Sequence, residues 1–457
     1  MEVIDLRERQ RRPIQRDQGL EPKVGIVIMG EATAGERAFR RSDLRDVGNP
    51  VGQTVAESIH SAPSTEGALR PGAKGLKHQA TGSLSDLGSP AATAPLNPTG
   101  SCLQAEQQAQ FPKPGPYMTR SSQSPLRIGI LSTANIARAF VKGVQPSSQV
   151  TVVGVASRDG SKAERFASEV GIPRSYNSYE ALLADSEIDA IYNPLPNSLH
   201  APWSIRAAEA GKHVLCEKPL AATSAEARAM FEAAKRNGVH VVEGYPYRAQ
   251  PQTLKLRELL DAGAIGSVQL LQASFGFTLS DGPNIRLDPS LAGGALMDVG
   301  SYCVSLALLV AKARPTRVSA LAQWTDSGVD RTAVATLEFP SGLLAQVSCS
   351  FATALHRQAL IAGTGGILQT TFYNHPSQAA PPVLHLRRGK TADASSEVVA
   401  VQATNGFLAE AESFQRLVRE GPDHWTGATP AESIDIMLTL EALLRSVREG
   451  KPVEIDA

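Results

Sequence analysis

Between Leu126 and Glu243, short apolar runs alternate with stretches of helical periodicity, and this alternation narrows the possible folds more than any other property of the chain. Leu126–Leu131, Val150–Ala156, Ala190–Tyr192, His213–Cys216 and Val239–Glu243 read as strands. Asn135–Val144, Lys162–Val170, Leu199–Ala210 and Ser224–Asn237 read as helices, the third closed by Gly211 as a C-terminal cap. Strands alternating with helices of about 10–15 residues imply parallel pairing in a doubly wound sheet. The expected fold is α/β, with a parallel doubly wound sheet over residues 126–245. Ligands of such sheets bind outside the carboxyl ends of the strands. Those ends are Ser132, Ser157, Asn193 and Glu217.

The pattern changes from Gly266. Val268–Phe277, Arg317–Trp324, Thr332–Phe339, Leu344–Phe351, Gln358–Ala362 and Ile367–Phe372 are β-rich runs separated by turn signals, with one apolar helix at Ala295–Ala311. Consecutive strands with few crossovers predict a largely antiparallel sheet. Helices at Phe407–Glu420 and Ala431–Glu449 end the chain. Residues 246–457 are thus expected to form a second, α+β domain.

Residues 1–125 differ from both. Ser83–Pro116 is a succession of Ser, Pro, Gly, Ala and Gln with little to bury, a composition that does not offset its own ordering entropy. Val24–Met29 followed by Gly30 has the form of a strand and turn, but no second apolar strand follows it. Arg11-Arg12 lacks the apolar segment that an export signal requires. The expectation is a disordered extension, or a start assigned upstream of Met118.

The 457 residues carry 45 Lys+Arg against 45 Asp+Glu, so there is no basic footprint for nucleic acid or an anionic membrane. No apolar run approaches the ~20 residues that span a bilayer, the longest, such as Val304–Ala311, being of core-helix length, so a membrane protein is not expected. Cys102, Cys216, Cys303 and Cys349 are scattered without metal-type spacing, which points to no bound metal and to a reducing, cytoplasmic setting.

Three places carry chemistry. The first turn puts Ser132, Ala134 and Ala137 in the slots of a dinucleotide fingerprint, where small side chains let a pyrophosphate approach a helix N-terminus; a plain packing turn has the same appearance. The second strand ends in Ser157-Arg158, a hydroxyl and a guanidinium suited to a 2′-phosphate, so NADP is favoured with NAD possible; a solvated loop arginine is the alternative. Glu217-Lys218-Pro219 sets an ammonium at the carboxyl end of a buried strand. Asp298 and Tyr302, four apart after Gly293-Gly294, share a helix face. A phenol beside a lysine serves as general acid or base in hydride transfer, and Asp298 can hold a hydroxyl.

Together these motifs resemble the glucose–fructose oxidoreductase/inositol dehydrogenase (Gfo/Idh/MocA) family over residues 126–455, most nearly its D-xylose and trans-dihydrodiol dehydrogenase branch. The resemblance rests on Gly129–Ala137, Asn193–His200, Gly211–Leu220, Tyr247-Arg248, Asn284–Pro289 and Gly293–Cys303. It implies a Rossmann domain followed by an α+β domain whose open sheet often dimerises, hence a homodimer or homotetramer. It implies Lys218, Tyr302 and Asp298 as the catalytic set. Cofactor contacts are implied from Ser132, Thr133, Ala134, Asn135, Ile136, Ser157, Arg158, Pro194, Leu195, Asn197, His200, Glu217, Lys218 and Arg248, and substrate contacts from Tyr247, Arg286 and Asp298.

The resulting expectation is an NADP-dependent oxidoreductase acting on the CH–OH group of a sugar or cyclic diol. Tyr302, its pKa lowered by Lys218, would take the hydroxyl proton as hydride leaves carbon. Some members of this scaffold resemble non-catalytic dinucleotide sensors, but a retained proton-transfer pair argues against that reading here.

Overall fold

The computed structural model describes residues 124–455, apart from Asp281 and Ala392. The expectations for residues 1–117, and Cys102 with them, lie outside that range.

The first half is a six-stranded parallel sheet. Its strands are β1 (Leu126–Leu131), β2 (Val150–Ala156), β3 (Arg174–Tyr176), β4 (Ala190–Asn193), β5 (His213–Glu217) and β6 (Val241–Gly244), in the order β3-β2-β1-β4-β5-β6. The order reverses between β1 and β4, and crevices at such points bind ligands. The crossovers are α1 (Asn135–Val144), α2 (Gly160–Val170), α3 (Tyr179–Leu183), α4 (Asn197–Glu209) and α5 (Ser224–Asn237). Side chains cap three of them: Asp159 on α2, Ser178 on α3 and Thr223 on α5. The helices α1 and α4 flank the crevice and have no side-chain cap at Ala134 or Pro196. Their first N–H groups are therefore left for another partner.

The second half opens with α6 (Pro251–Asp261) and builds a nine-stranded sheet. In chain order this sheet holds β7 (Val268–Thr278), β8 (Arg317–Trp324), β9 (Asp330–Glu338), β10 (Leu344–Ser350), β11 (Ala352–Gly363), β12 (Gly366–Thr371), β13 (Leu384–Arg388), β14 (Ser396–Val398) and β15 (Val453–Glu454). All pairings are antiparallel except β7 with β10. The helix α7 (Ser301–Ala311) lies buried against one face, with α8 (Gly406–Glu420) and α9 (Pro430–Glu449) following later. A capping box between Thr429 and Glu432 starts α9, and Gly450 in the left-handed conformation ends it.

Several elements escaped the sequence reading. β3, β13, β14 and β15 have five residues or fewer, too few to show a period. The helix expected at Ala295–Ala311 enters through a π-helical turn, Leu296–Gly300, before α7 begins. By length and composition the stretch Pro289–Ala311 would also cross a membrane, contrary to the sequence reading, but it lies almost entirely buried as the core helix of this half.

Candidate active site

A cleft of about 700 Å³ runs between the carboxyl ends of the parallel strands and the buried face of the large sheet. Ala134, Asn135 and Ile136 line it from the start of α1, and Pro194, Leu195, Asn197 and His200 line it from the turn into α4. Glu217 and Lys218 line it from the end of β5, and Arg286, Asp298 and Tyr302 close it from the second half.

The first turn shows how small residues replace the glycines. Ser132 adopts φ +102, a region L side chains rarely occupy, and its Oγ accepts from the Ala134 N–H at 3.1 Å. Such strain costs about 1–3 kcal/mol and tends to persist at functional sites. Ser132 and Thr133 form the turn itself rather than the cleft wall. The uncapped amides of α1 and the small Ala134 fit a pyrophosphate.

Ser157 and Arg158 stand beside that turn, because Leu131 pairs with Ala156 across the parallel ladder. Ser157 is buried and accepts from the Asp159 N–H at 3.2 Å. Arg158 is exposed, close to the Tyr179 hydroxyl.

Asp298 is the hub of the chemical end. Its Oδ1 accepts from Lys218 Nζ at 2.6 Å, its Oδ2 from Arg286 Nε at 2.6 Å, and its carbonyl oxygen from Lys218 Nζ at 2.9 Å. Burial alone would raise the Asp298 carboxyl, but the two cations outweigh it and hold it at about 2. Burial lowers Lys218, and Asp298 more than restores it, leaving the ammonium above its ordinary value. A backbone contact fixes this hub: a Cβ on Gly293 would fall 2.5 Å from the Arg286 carbonyl oxygen, so only glycine lets the two segments meet. Asp330 Oδ2 accepts from the Leu296 N–H at 2.6 Å and starts the helix that carries Asp298 and Tyr302.

Tyr302 is 5% exposed and its ring stands 4.9 Å beneath Lys218 Nζ. The Tyr302 hydroxyl accepts from Asn374 Nδ2 at 2.9 Å. The expectation of a lowered phenol is corrected here: burial raises it, and Lys218 and Arg357 offset only part of that rise. Glu217, also raised by burial, accepts from the Tyr192 hydroxyl at 2.6 Å.

Two more expectations are corrected. Tyr247 and Arg248 do not line the cleft. Tyr247 is fully buried behind Tyr302 and bonds Ser305 Oγ at 3.0 Å. Arg248 donates to Ser305 Oγ and Ser305 O, at 3.0 and 2.9 Å, and pairs with Glu432. Both are structural because the short turn Pro246–Ala249 directs them into the core. His200 does line the cleft, but its two ring nitrogens lie 2.8 and 2.7 Å from the Pro219 and Leu195 carbonyls, tying two cleft turns together. Burial pulls His200 down to about 4.

Sequence reasoning missed Phe275, Phe277, Asn284, Arg357, Asn374 and Phe407, all on the cleft wall. Phe275 and Phe277 alternate along β7, so the period of two carried a faint signal. Asn374 lies in a loop that matches no motif. Among the described residues, no group of three or more His, Cys, Asp or Glu side chains gathers to hold a metal.

Residues 126–245 match the model of an oxidoreductase family with an NAD-binding Rossmann fold, and residues 253–369 match the GFO/IDH/MocA C-terminal domain. A D-xylose 1-dehydrogenase (NADP(+)) of Haloferax volcanii is 40% identical over 72% of this chain and 100% of its own. The trans-1,2-dihydrobenzene-1,2-diol dehydrogenase of Mus musculus is 38% identical over 53% of this chain and 74% of its own. Among solved structures, a 3-ketoreductase of Actinomadura kijaniata in complex with NADP superposes with a TM-score of 0.64 at 29% identity, covering 70% of this chain and 98% of that one. An aldose-aldose oxidoreductase of Caulobacter crescentus superposes with a TM-score of 0.66 at 27% identity, covering 72% and 99%.

Proposed function

Because the chain belongs to the GFO/IDH/MocA family of oxidoreductases, we propose that it is an NADP-dependent dehydrogenase acting on a CH–OH group of a sugar or cyclic diol. The observation that carries this reading is the meeting of Lys218, Asp298 and Tyr302 at one end of the cleft, with the uncapped start of α1 at the other.

The start of α1, with Ala134, Asn135 and Ile136, would hold the pyrophosphate, and Arg158 with Ser157 would face the 2′-phosphate. Pro194, Leu195 and Asn197 would flank the nicotinamide. Bound there, the dinucleotide supplies a hydride acceptor. The substrate hydroxyl would sit between Lys218 Nζ and the Tyr302 oxygen, donating to the phenolate. Tyr302 takes the hydroxyl proton, the C–H bond gives up its hydride, and the carbon–oxygen bond becomes a carbonyl, yielding a lactone or ketone. Lys218, anchored by Asp298, holds the substrate oxygen in place, and Arg286 closes the cleft over it.

The open face of the large sheet supports a homodimer. Leu321 and Val334 pair across β8 and β9 and are 72% and 50% exposed, an apolar pair that a partner sheet would cover.

The test is nicotinamide absorbance with NADP and NAD across aldoses, inositols and vicinal diols, alongside Tyr302→Phe. NADP reduction by one class, lost in Tyr302→Phe, is expected. Tight NADP binding with no turnover on any class would overturn the reading.

A further inference from the structure

Arg357 enters the site from β11, directly opposite Phe275 of β7. It is 4% exposed, yet no ion pair to it is found among the described residues. Its guanidinium lies 4.0 Å from the ring centroid of Tyr302, 4.7 Å from Phe275, 4.8 Å from Phe372 and 5.4 Å from Tyr247. Its Nε and Nη2 are buried with no hydrogen-bond partner. A desolvated cation packed among ring faces, with two of its nitrogens unpartnered, is costly unless a negative charge forms beside it.

The nearest group that acquires such a charge in the proposed reaction is the Tyr302 oxygen. Lys218 is the other cation on that ring, but Asp298 takes it up at 2.6 Å. We propose that Arg357 is a positioning residue that, with the Asn374 amide, stabilises the phenolate form of Tyr302 and so sets the pH at which the site works. This rests on the reading of Tyr302 as the proton-transfer group.

The charges facing Tyr302 come from every element around it. Glu217 and Lys218 come from the end of β5, Arg286 from the cleft loop and Asp298 from its own helix turn. The phenols of Tyr192, Tyr245 and Tyr247 lie behind it. Glu217 opposes ionisation of Tyr302; Lys218 and Arg357 favour it. Among the described residues, Arg357 is the cation of this set that forms no ion pair with a carboxylate.

The test is the pH profile of kcat for alcohol oxidation in the full chain. In Arg357→Met the acid limb should move up by about one pH unit, a tenfold loss below it for each unit, while the plateau at high pH stays within about threefold. Arg357→Lys should restore most of the shift. A limb that stays in place while kcat falls equally at every pH would overturn the proposal. Should Arg357→Met not fold, Asn374→Ala provides the second reading, since the loss of its hydrogen bond should move the limb the same way. An unmoved limb there would count against it. Activity in Tyr302→Phe would instead sink the underlying reading, whatever Arg357 does.

Discussion

Lys218 touches Asp298 twice, through the carboxylate at 2.6 Å and the main-chain carbonyl at 2.9 Å, while Arg286 occupies the carboxylate's other oxygen. One anion therefore holds two cations, and losing either side is not symmetric. Asp298→Ala strands both Lys218 and Arg286, whereas Lys218→Met leaves Asp298 still paired with Arg286. Removing one partner of a buried pair costs about 3–5 kcal/mol. Asp298→Ala is expected near the lower end of that range and Lys218→Met well below it, by urea denaturation at pH 7. Both should lose at least about a hundredfold in kcat, with NADP affinity retained in Lys218→Met. The pair persists across a wide pH window. With Asp298 lowered to about 2, its contribution is present above the unfolded value and fades only as pH falls towards about 2. With Lys218 raised, the cation's share is lost only as pH rises past the ordinary lysine range.

At Ser132 the usual ranking of glycine and alanine should invert. Alanine normally surpasses glycine because it has less unfolded-state freedom to lose. Here φ is +102, so Ser132→Gly should be more stable than Ser132→Ala by about 1 kcal/mol in thermal melts. Equal stability of the two variants would show that the turn is unstrained.

Arg158 is the exposed cation at the end of β2. Arg158→Asp should reverse cofactor choice, with KM for NADP rising about tenfold or more while KM for NAD changes little. An unchanged NADP preference would remove Arg158 from the 2′-phosphate.

Glu243 is fully buried, accepts from the Leu220 N–H at 2.9 Å, and is pushed up by burial to about 7. The folded state therefore holds its proton more tightly than the unfolded chain does. Stability falls as pH rises from the unfolded value near 4.3 to about 7, by up to roughly 3 kcal/mol. Glu243→Gln should lose less stability over that window, measured by denaturation at pH 5 and pH 7.5. Parallel curves would contradict the assignment.

Glutamate at Leu321 and Val334 together should convert a dimer to a monomer in light scattering while leaving the cleft untouched, since both side chains lie on the sheet's open face. A native monomer before substitution would remove the proposed interface.

The sequence was most readable where period and position agree. The alternation of β1 to β6 marked the crevice, and Lys218, Asp298 and Tyr302 were found because a strand end and a four-residue helical spacing specify where they go. Tyr247 and Arg248 were misplaced because a short 3-10 turn reverses which way adjacent residues point, and no period reports that. Arg357 was invisible for a different reason. An arginine on a strand normally marks the solvent face, and only the packing of Phe275, Phe372, Tyr247 and Tyr302 around it reveals a core position. The direction of the Tyr302 shift was missed because a sequence conveys charge proximity but not the cost of dehydration.

The helix α8 adds Phe407, Ala411, Phe414 and Leu417 to the same core cluster as Leu126, Ile128 and Phe140, and Phe407 also reaches the cleft wall. The nucleotide-binding half thus borrows a wall from a segment more than 150 residues downstream of its last parallel strand. Grafting residues 126–245 alone onto another catalytic partner would expose that core face. A transplant that respects the architecture must carry residues 406–420 as well, so the exchangeable module of this enzyme is discontinuous along its chain.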